Sequence, residues 1–424
     1  GSFDAGDYIL FYGDNPVKWE FSYSYQRFQH LNNYYDDYSY YFITLKQSPD
    51  AKRIQLADIP DGAVEQTVTT FNDYAYHELD TLNIAGSGRT WYGEVFDFTL
   101  SRSFEFDFPN IVKSAGANCY VSLASRSYSA NSFLIYTDNQ LQKTQAMPIT
   151  ANNGYEYGRA RSADFDFTPK SDKLVVTLEY NRYSTGSVGY LDYIDLNVQR
   201  YLNFSGNQMK FRKIFSWEVD EVVKYEIGGE SSGISVWEIT DLVNPKKISL
   251  NSSGGKVNFI SQTDTLREFI AFNGLEYFTP QFVEKVDNQN LHALKNIDYL
   301  IVTHPRFIDE ANRLAEFHSE NQDFNVYVTS PQKLYNEFSS GSQDITAIRD
   351  FAKMLYDRSD AGKELKYLLL FGDASYDYKD KLADNSNFVP CWEHTKSLNI
   401  ISSIASDDYF GYLDDGEGGI TGSN

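Results

Sequence analysis

Hydrophobic spacing changes character once along this 424-residue chain, near Leu291. Up to about Asn203 the period is two. Tyr8, Leu10 and Tyr12 alternate with Ile9, Phe11 and Gly13, and further short runs follow at Tyr40–Leu45, Thr90–Phe98, Ser103–Phe108, Tyr120–Ala124, Phe133–Tyr136, Leu174–Tyr180 and Tyr193–Val198. Clusters of Asn, Asp, Gly, Ser and Pro separate them. Short alternating runs between turn residues predict an all-β sandwich, since a strand shows successive side chains to opposite faces. From residue 204 to about 290 the pattern stays β, with strands expected at Ile234–Ile239, Lys256–Ile260 and Arg267–Phe272.

Beyond that point the pattern is strand, helix, strand, helix, strand. Ile297–Thr303 is a largely apolar run. Ile308, Ala311, Leu314, Ala315 and His318 then recur at helical spacing, and Phe324–Val328 reads as a second strand. Asp344 or Thr346 can cap a helix carrying Ile345, Ile348, Ala352 and Leu355 on one face. A third strand, Leu365–Phe371, runs into Gly372-Asp373. This order is the βαβ signature of a parallel sheet, whose strands are expected to be covered on both faces. The expected fold class is therefore multidomain β plus α/β. Residues 1–203 form a β-sandwich, 204–290 a second β-rich region, and 291–424 an α/β domain.

Composition narrows the function classes. With 37 basic and 59 acidic residues the net charge is −22, which argues against general nucleic-acid binding, because phosphate contacts need clustered Lys and Arg. No run of roughly 18 apolar residues is present to span a bilayer as a helix. The two cysteines, Cys119 and Cys391, cannot build a disulfide framework or a four-ligand zinc site. The 33 Tyr and 30 Phe suit large β cores, with plain packing favoured over a sugar-binding platform.

In open parallel sheets function gathers at the carboxyl ends of strands. Asp373 stands there, directly after the most apolar strand. It reads either as a ligand or catalytic carboxylate or as a cap for the turn Asp373–Asp377. Asp407, Asp408, Asp414, Asp415 and Glu417 place five carboxylates within eleven residues, among Gly and aromatic residues. They read either as a hard-cation loop or as a solvated acidic hairpin. Cys391 and His394 lie three apart, but catalytic Cys/His partners usually meet only in the fold. His304 reads as a turn histidine. Walker, Gly-x-Ser-x-Gly and His-Glu-x-x-His motifs are absent from the sequence.

The stretch Tyr367-Leu368-Leu369-Leu370-Phe371-Gly372-Asp373-Ala374-Ser375-Tyr376-Asp377, followed by Ser406-Asp407-Asp408-Tyr409-Phe410-Gly411, resembles the gingipain family of cysteine peptidases. The opening Gly6–Gly13, with Trp19 and Tyr40–Ile43, resembles more closely its sortase-like branch in type IX secretion. The resemblance implies a caspase-like α/β domain, of which residues 291–424 would be the first half. It also implies a His/Cys dyad that lies C-terminal of the Ser-Asp-Asp-Tyr segment, so no catalytic residue is assigned in this chain. Gly1-Ser2 at the start and the acidic loop near the end fit a processed or truncated piece of a longer protein. Structural calcium is implied at Asp373, Asp414 and Glu417, with Asp414 binding through its carbonyl; Gly418-Gly419 departs from the family pattern. Implied partners are secreted cargo with C-terminal signal domains, a lipopolysaccharide acceptor and outer-membrane secretion proteins such as PorV. The implied location is the bacterial cell surface, associated with the outer membrane. Two other readings compete: a non-catalytic surface scaffold or adhesin with a degenerate peptidase domain, and a carbohydrate-binding accessory.

Overall fold

The structure, a computed structural model, describes residues 6–44, 52–215 and 220–417. The fold is multidomain β plus α/β. In the first β unit a four-stranded sheet runs in the order Gln140–Met147, Asn131–Thr137, Lys173–Arg182, Ser101–Asp107. A longer sheet faces it, beginning Arg159–Phe167, Ala117–Arg126, Val188–Tyr201, Thr70–Glu78. Phe104, Phe133 and Leu178 from the first sheet and Val121, Ile194 and Leu196 from the second close one core. Strict alternation explains this packing: along Asn131–Thr137 every second side chain is buried.

The longer sheet does not stop at the first unit. It continues through Gln208–Arg212, Glu268–Phe272 and Ser235–Glu238. There it covers a second core against Val222–Gly229 and Lys256–Gln262. That core is aromatic: Tyr225 stacks on Phe259 at 5.0 Å and Phe211 on Phe269 at 5.3 Å. Val64–Val68 pairs in parallel with Val222–Gly229, and the next strand, Thr70–Glu78, pairs with Val188–Tyr201. Residues on either side of Thr69 thus serve different sheets, and Val68 and Phe71 pack in the second core although they precede the first in sequence. Phe supplies much of these cores, whereas many Tyr, among them Tyr8, Tyr38 and Tyr183, stay exposed.

Three expected strands need correction. Tyr8–Gly13 and Tyr40–Thr44 have no regular structure, and Leu45 lies outside the described residues. Alternation there marks a strap lying on other units. Leu10 and Tyr12 pack on Trp237 and Ile270, while Tyr40 and Phe42 lie against Gly341. Tyr8 and Ile9 stay exposed and Leu10 and Tyr12 are only half-buried, so no face of the strap is fully buried to fix a register. Thr90–Phe98 shortens to Val95–Phe96, with Tyr92 in an isolated bridge to Leu82 and Gly93 close to the Leu79 carbonyl. Between the strap segments the unforeseen hairpin Lys18–Ser22/Arg27–Leu31 docks on the first unit, with Trp19 stacked on Tyr74 at 4.0 Å.

In the α/β unit, Tyr299–Thr303 is the central strand, flanked in parallel by Val326–Thr329 and Tyr367–Phe371. Its Leu300, Ile301 and Val302 are fully buried. Helix α1 spans Ile308–Gln322, α2 Pro331–Phe338 and α3 Ile345–Arg358. The expected face of α3 (Ile345, Ile348, Ala352, Leu355) is buried, and the Asp344 side chain caps it by accepting from the Thr346 N–H at 2.8 Å. Tyr367–Phe371 departs from expectation. Tyr367 is exposed and the rest are half-buried, because the strand lies at the edge among the described strands of this sheet. No helix among the described residues is long and apolar enough to cross a membrane.

Candidate functional site

The parallel sheet delivers Thr303-His304 and Phe371-Gly372-Asp373 side by side at its carboxyl end. Thr303 Oγ1 donates to the Phe371 carbonyl at 2.9 Å and ties the two strand ends together. The Asp373 carbonyl accepts from the Phe388 and Val389 N–H groups at 2.9 and 3.2 Å, which closes the intervening loop at its base. A Cβ on Gly372 would stand 3.1 Å from Phe388 Cβ, so glycine permits that return. Asp373 itself is exposed.

The cap inside this loop is Asp377, which sequence reading passed over. It is buried, and its Oδ2 accepts from the Leu382 N–H at 2.7 Å, while its carbonyl accepts from Asn385 at 2.7 Å. The loop tip is tied to the β unit and strap: Lys379 pairs with Asp37 at 2.6 Å and Lys381 with Asp80 at 3.5 Å. Burial pushes the Asp80 carboxyl up to about 6, with the neighbouring Glu78 charge adding to the rise.

His304 is a turn residue, as expected: its Nδ1 accepts from the Arg306 N–H at 3.2 Å. Among the described residues no hydrogen bond joins Cys391 to His394. Cys391 is buried, and burial pushes its thiol up to about 12, with the charges of Glu393 and Asp407 adding to the shift. The Nδ1 of His394 accepts from the Lys396 N–H at 2.9 Å, and burial, with nearby Lys396 and Arg89, lowers its pKa. A thiolate–imidazolium pair needs the opposite shifts.

Residues 408–411 form a short 3-10 helix whose Phe410 enters the α/β core. The next residues lie on α3, where Arg349 donates to the Tyr412 carbonyl at 3.0 Å and Lys353 to the Leu413 carbonyl at 2.6 Å. Asp414 and Glu417 then close on each other. The Asp414 N–H donates to Glu417 Oε2 at 3.1 Å, and the Glu417 N–H donates to the Asp414 carbonyl at 3.3 Å. Calcium takes six to eight oxygens. Among the described residues no three His, Cys, Asp or Glu side chains group to hold a metal, so Asp373, Asp414 and Glu417 do not present an assembled donor set. Gly418-Gly419 lie outside the described residues.

A buried charged constellation lies elsewhere. His30 is clamped between Asp195 (Nδ1 to Oδ1, 2.5 Å) and Glu78 (Nε2 to Oε2, 2.6 Å). Its partners are 165 and 48 residues away, so sequence spacing carried no signal for it.

Residues 292–421 match the family model described as Peptidase family C25. Among solved structures the chain is similar to dimeric latent PorU from Porphyromonas gingivalis. The match has 23% identity and a TM-score of 0.83, and covers 97% of this chain and 40% of that one. The chain therefore spans 40% of the length of the PorU it matches. The insecticidal delta-endotoxin Cry8Ea1 from Bacillus thuringiensis follows at 18% identity and TM-score 0.20, covering 24% of this chain and 18% of that one. A family 35 carbohydrate-binding module from an environmental isolate has 12% identity and TM-score 0.22, covering 30% and 92%. Likenesses of that size carry no argument. No curated protein matches the chain by sequence. Residues 292–421 thus match peptidase family C25, on a chain whose fold is similar to that of PorU.

Proposed function

We propose that the protein to which this chain belongs is a cell-surface cysteine endopeptidase and sortase. It removes C-terminal signals from type IX secretion cargo and transfers the cargo to lipopolysaccharide. One observation carries the reading: the chain is similar in fold to PorU over 97% of its length, and its residues 292–421 match peptidase family C25. The chemistry is acyl transfer. A thiolate attacks the scissile carbonyl, the imidazolium gives its proton to the departing amine, and a lipopolysaccharide amine attacks the thioester, its proton returning to the imidazole as the thiolate leaves. Nucleophile and base belong to the C25 fold beyond the Ser406–Gly411 segment. Within this chain, Cys119 and Cys391 are both buried with raised thiol pKa values, which suits structural roles.

The β units and strap would present the surface on which cargo and outer-membrane partners such as PorV dock. Calcium at Asp373, Asp414 and Glu417 remains a separate part of the proposal, in which the remaining oxygens come from other groups.

The test is the state of cargo in cells lacking the gene. Mass spectrometry of surface proteins should show cargo retaining its C-terminal signal, with processing restored by the wild-type gene. Normal cargo processing in the deletion strain would favour the scaffold or adhesin reading.

A further inference from the structure

The first β unit and the C25 domain meet along a polar, partly buried seam. Three consecutive residues of the β unit bond across it. The Gly88 N–H donates to the Glu393 carboxylate, the Arg89 N–H to the His394 carbonyl at 2.9 Å, and the Thr90 N–H to Ser397 Oγ at 2.9 Å. Thr90 Oγ1 also donates to the Thr395 carbonyl at 2.5 Å. Glu393 and Ser397 are 6% and 1% exposed; the Gly88 bond is buried and the two Thr90 bonds are part-buried, so water competes for them less than at an open surface. A second, independent contact lies a few residues on. The Tyr157 N–H donates to the Leu398 carbonyl at 2.7 Å and the Ile400 N–H to the Tyr155 carbonyl at 3.2 Å, around an antiparallel bridge of Glu156 with Asn399.

Within its own domain this stretch is only a two-residue-per-strand hairpin, Trp392–Glu393 against Ala405–Ser406. So short a ladder is not stable by itself. Gly88 shows how closely the two sides approach. Its φ is +80°, and an added Cβ would collide with the Lys396 carbonyl oxygen and stand 2.6 Å from Ser397 Oγ.

We propose that residues 87–90 are a positioning element of the C25 domain. They hold the 392–406 hairpin, which in turn delivers the Ser406–Gly411 segment to the α/β core. The β unit is then more than an appended docking module, because it completes hydrogen bonding that residues 291–417 leave open. The inference goes beyond the peptidase reading and does not depend on it, because its readout is amide exchange rather than activity.

The experiment is hydrogen–deuterium exchange on the whole chain. In Gly88→Val, amides of 392–404 should exchange at least about tenfold faster, while those of Val188–Tyr201 keep their protection. Gly254→Val is the control: φ there is +61° and nothing lies within 4 Å of an added Cβ, so it carries the backbone strain without the seam. A milder pair guards against misfolding of Gly88→Val. Thr90→Val keeps the shape and removes one hydrogen bond, for an acceleration of about fivefold in 392–404. Thr90→Ser should restore the wild-type rate. Unchanged exchange of 392–404 in Thr90→Val, or equal acceleration in Gly254→Val, would overturn the proposal.

Discussion

The clamp at His30 makes a prediction whose size follows from the structure. The side chain is 2% exposed and stands between two carboxylates. A neutral imidazole has one N–H and can serve only one of them as a donor, whereas the imidazolium serves both. Burial alone would lower the pKa; the hydrogen bonds and charges of Asp195 and Glu78 outweigh it and raise the value from 6.5 to about 9. A raised folded-state value means that this stabilisation is fully present below the unfolded pKa and is lost as pH rises through the folded one. At about 1.4 kcal/mol per unit, the protonated clamp contributes about 3 kcal/mol, disappearing between about pH 6.5 and about pH 9. His30→Gln removes the titration. Denaturant unfolding of both proteins across that window measures it. Trp19, with its ring 5.7 Å from His30, serves as a local fluorescence reporter. Wild-type stability should fall with pH by about 3 kcal/mol more than that of the variant. Parallel pH profiles would refute the reasoning.

Three further outcomes are expected. Asp344→Ala removes the α3 cap and should cost about 1 kcal/mol in unfolding experiments, whereas Asp344→Asn should recover most of it. Native protein should resist thiol alkylation near neutral pH at both Cys119 and Cys391, with both reacting after denaturation; stoichiometric labelling of native Cys391 would contradict its placement. The calcium proposal at Asp373, Asp414 and Glu417 predicts that chelation lowers the melting temperature and that Asp373→Ala abolishes the difference; a melting temperature indifferent to chelator would contradict it.

What the sequence revealed was what local period controls. The buried face of α3 and its Asp344 cap were legible because helical spacing and a capping carboxylate act within one turn. The inner strands were legible because each alternates between one core and another surface. Arg159–Phe167 was missed because most of its side chains are exposed, leaving little apolar signal at the sheet edge. The strap misled in the other direction, since its aromatics pack on separate units and never pair as strands. At the site, Gly372-Asp373 was correctly placed at a strand end. Asp377, His30 and Gly88 were not legible as structural anchors. His30 and Gly88 take partners far away in the chain, up to 305 residues for Gly88 and Glu393.

The acyl-transfer proposal is tested most directly by trapping. The full protein from its native cells would be incubated with a cargo bearing its C-terminal signal and a small primary amine, and the cargo's new C-terminus read by mass spectrometry. A thioester intermediate predicts release of the signal and amide-linked amine on the new C-terminus. Cargo recovered with its signal intact would contradict a peptidase, and cleavage without amine incorporation would contradict the transfer step.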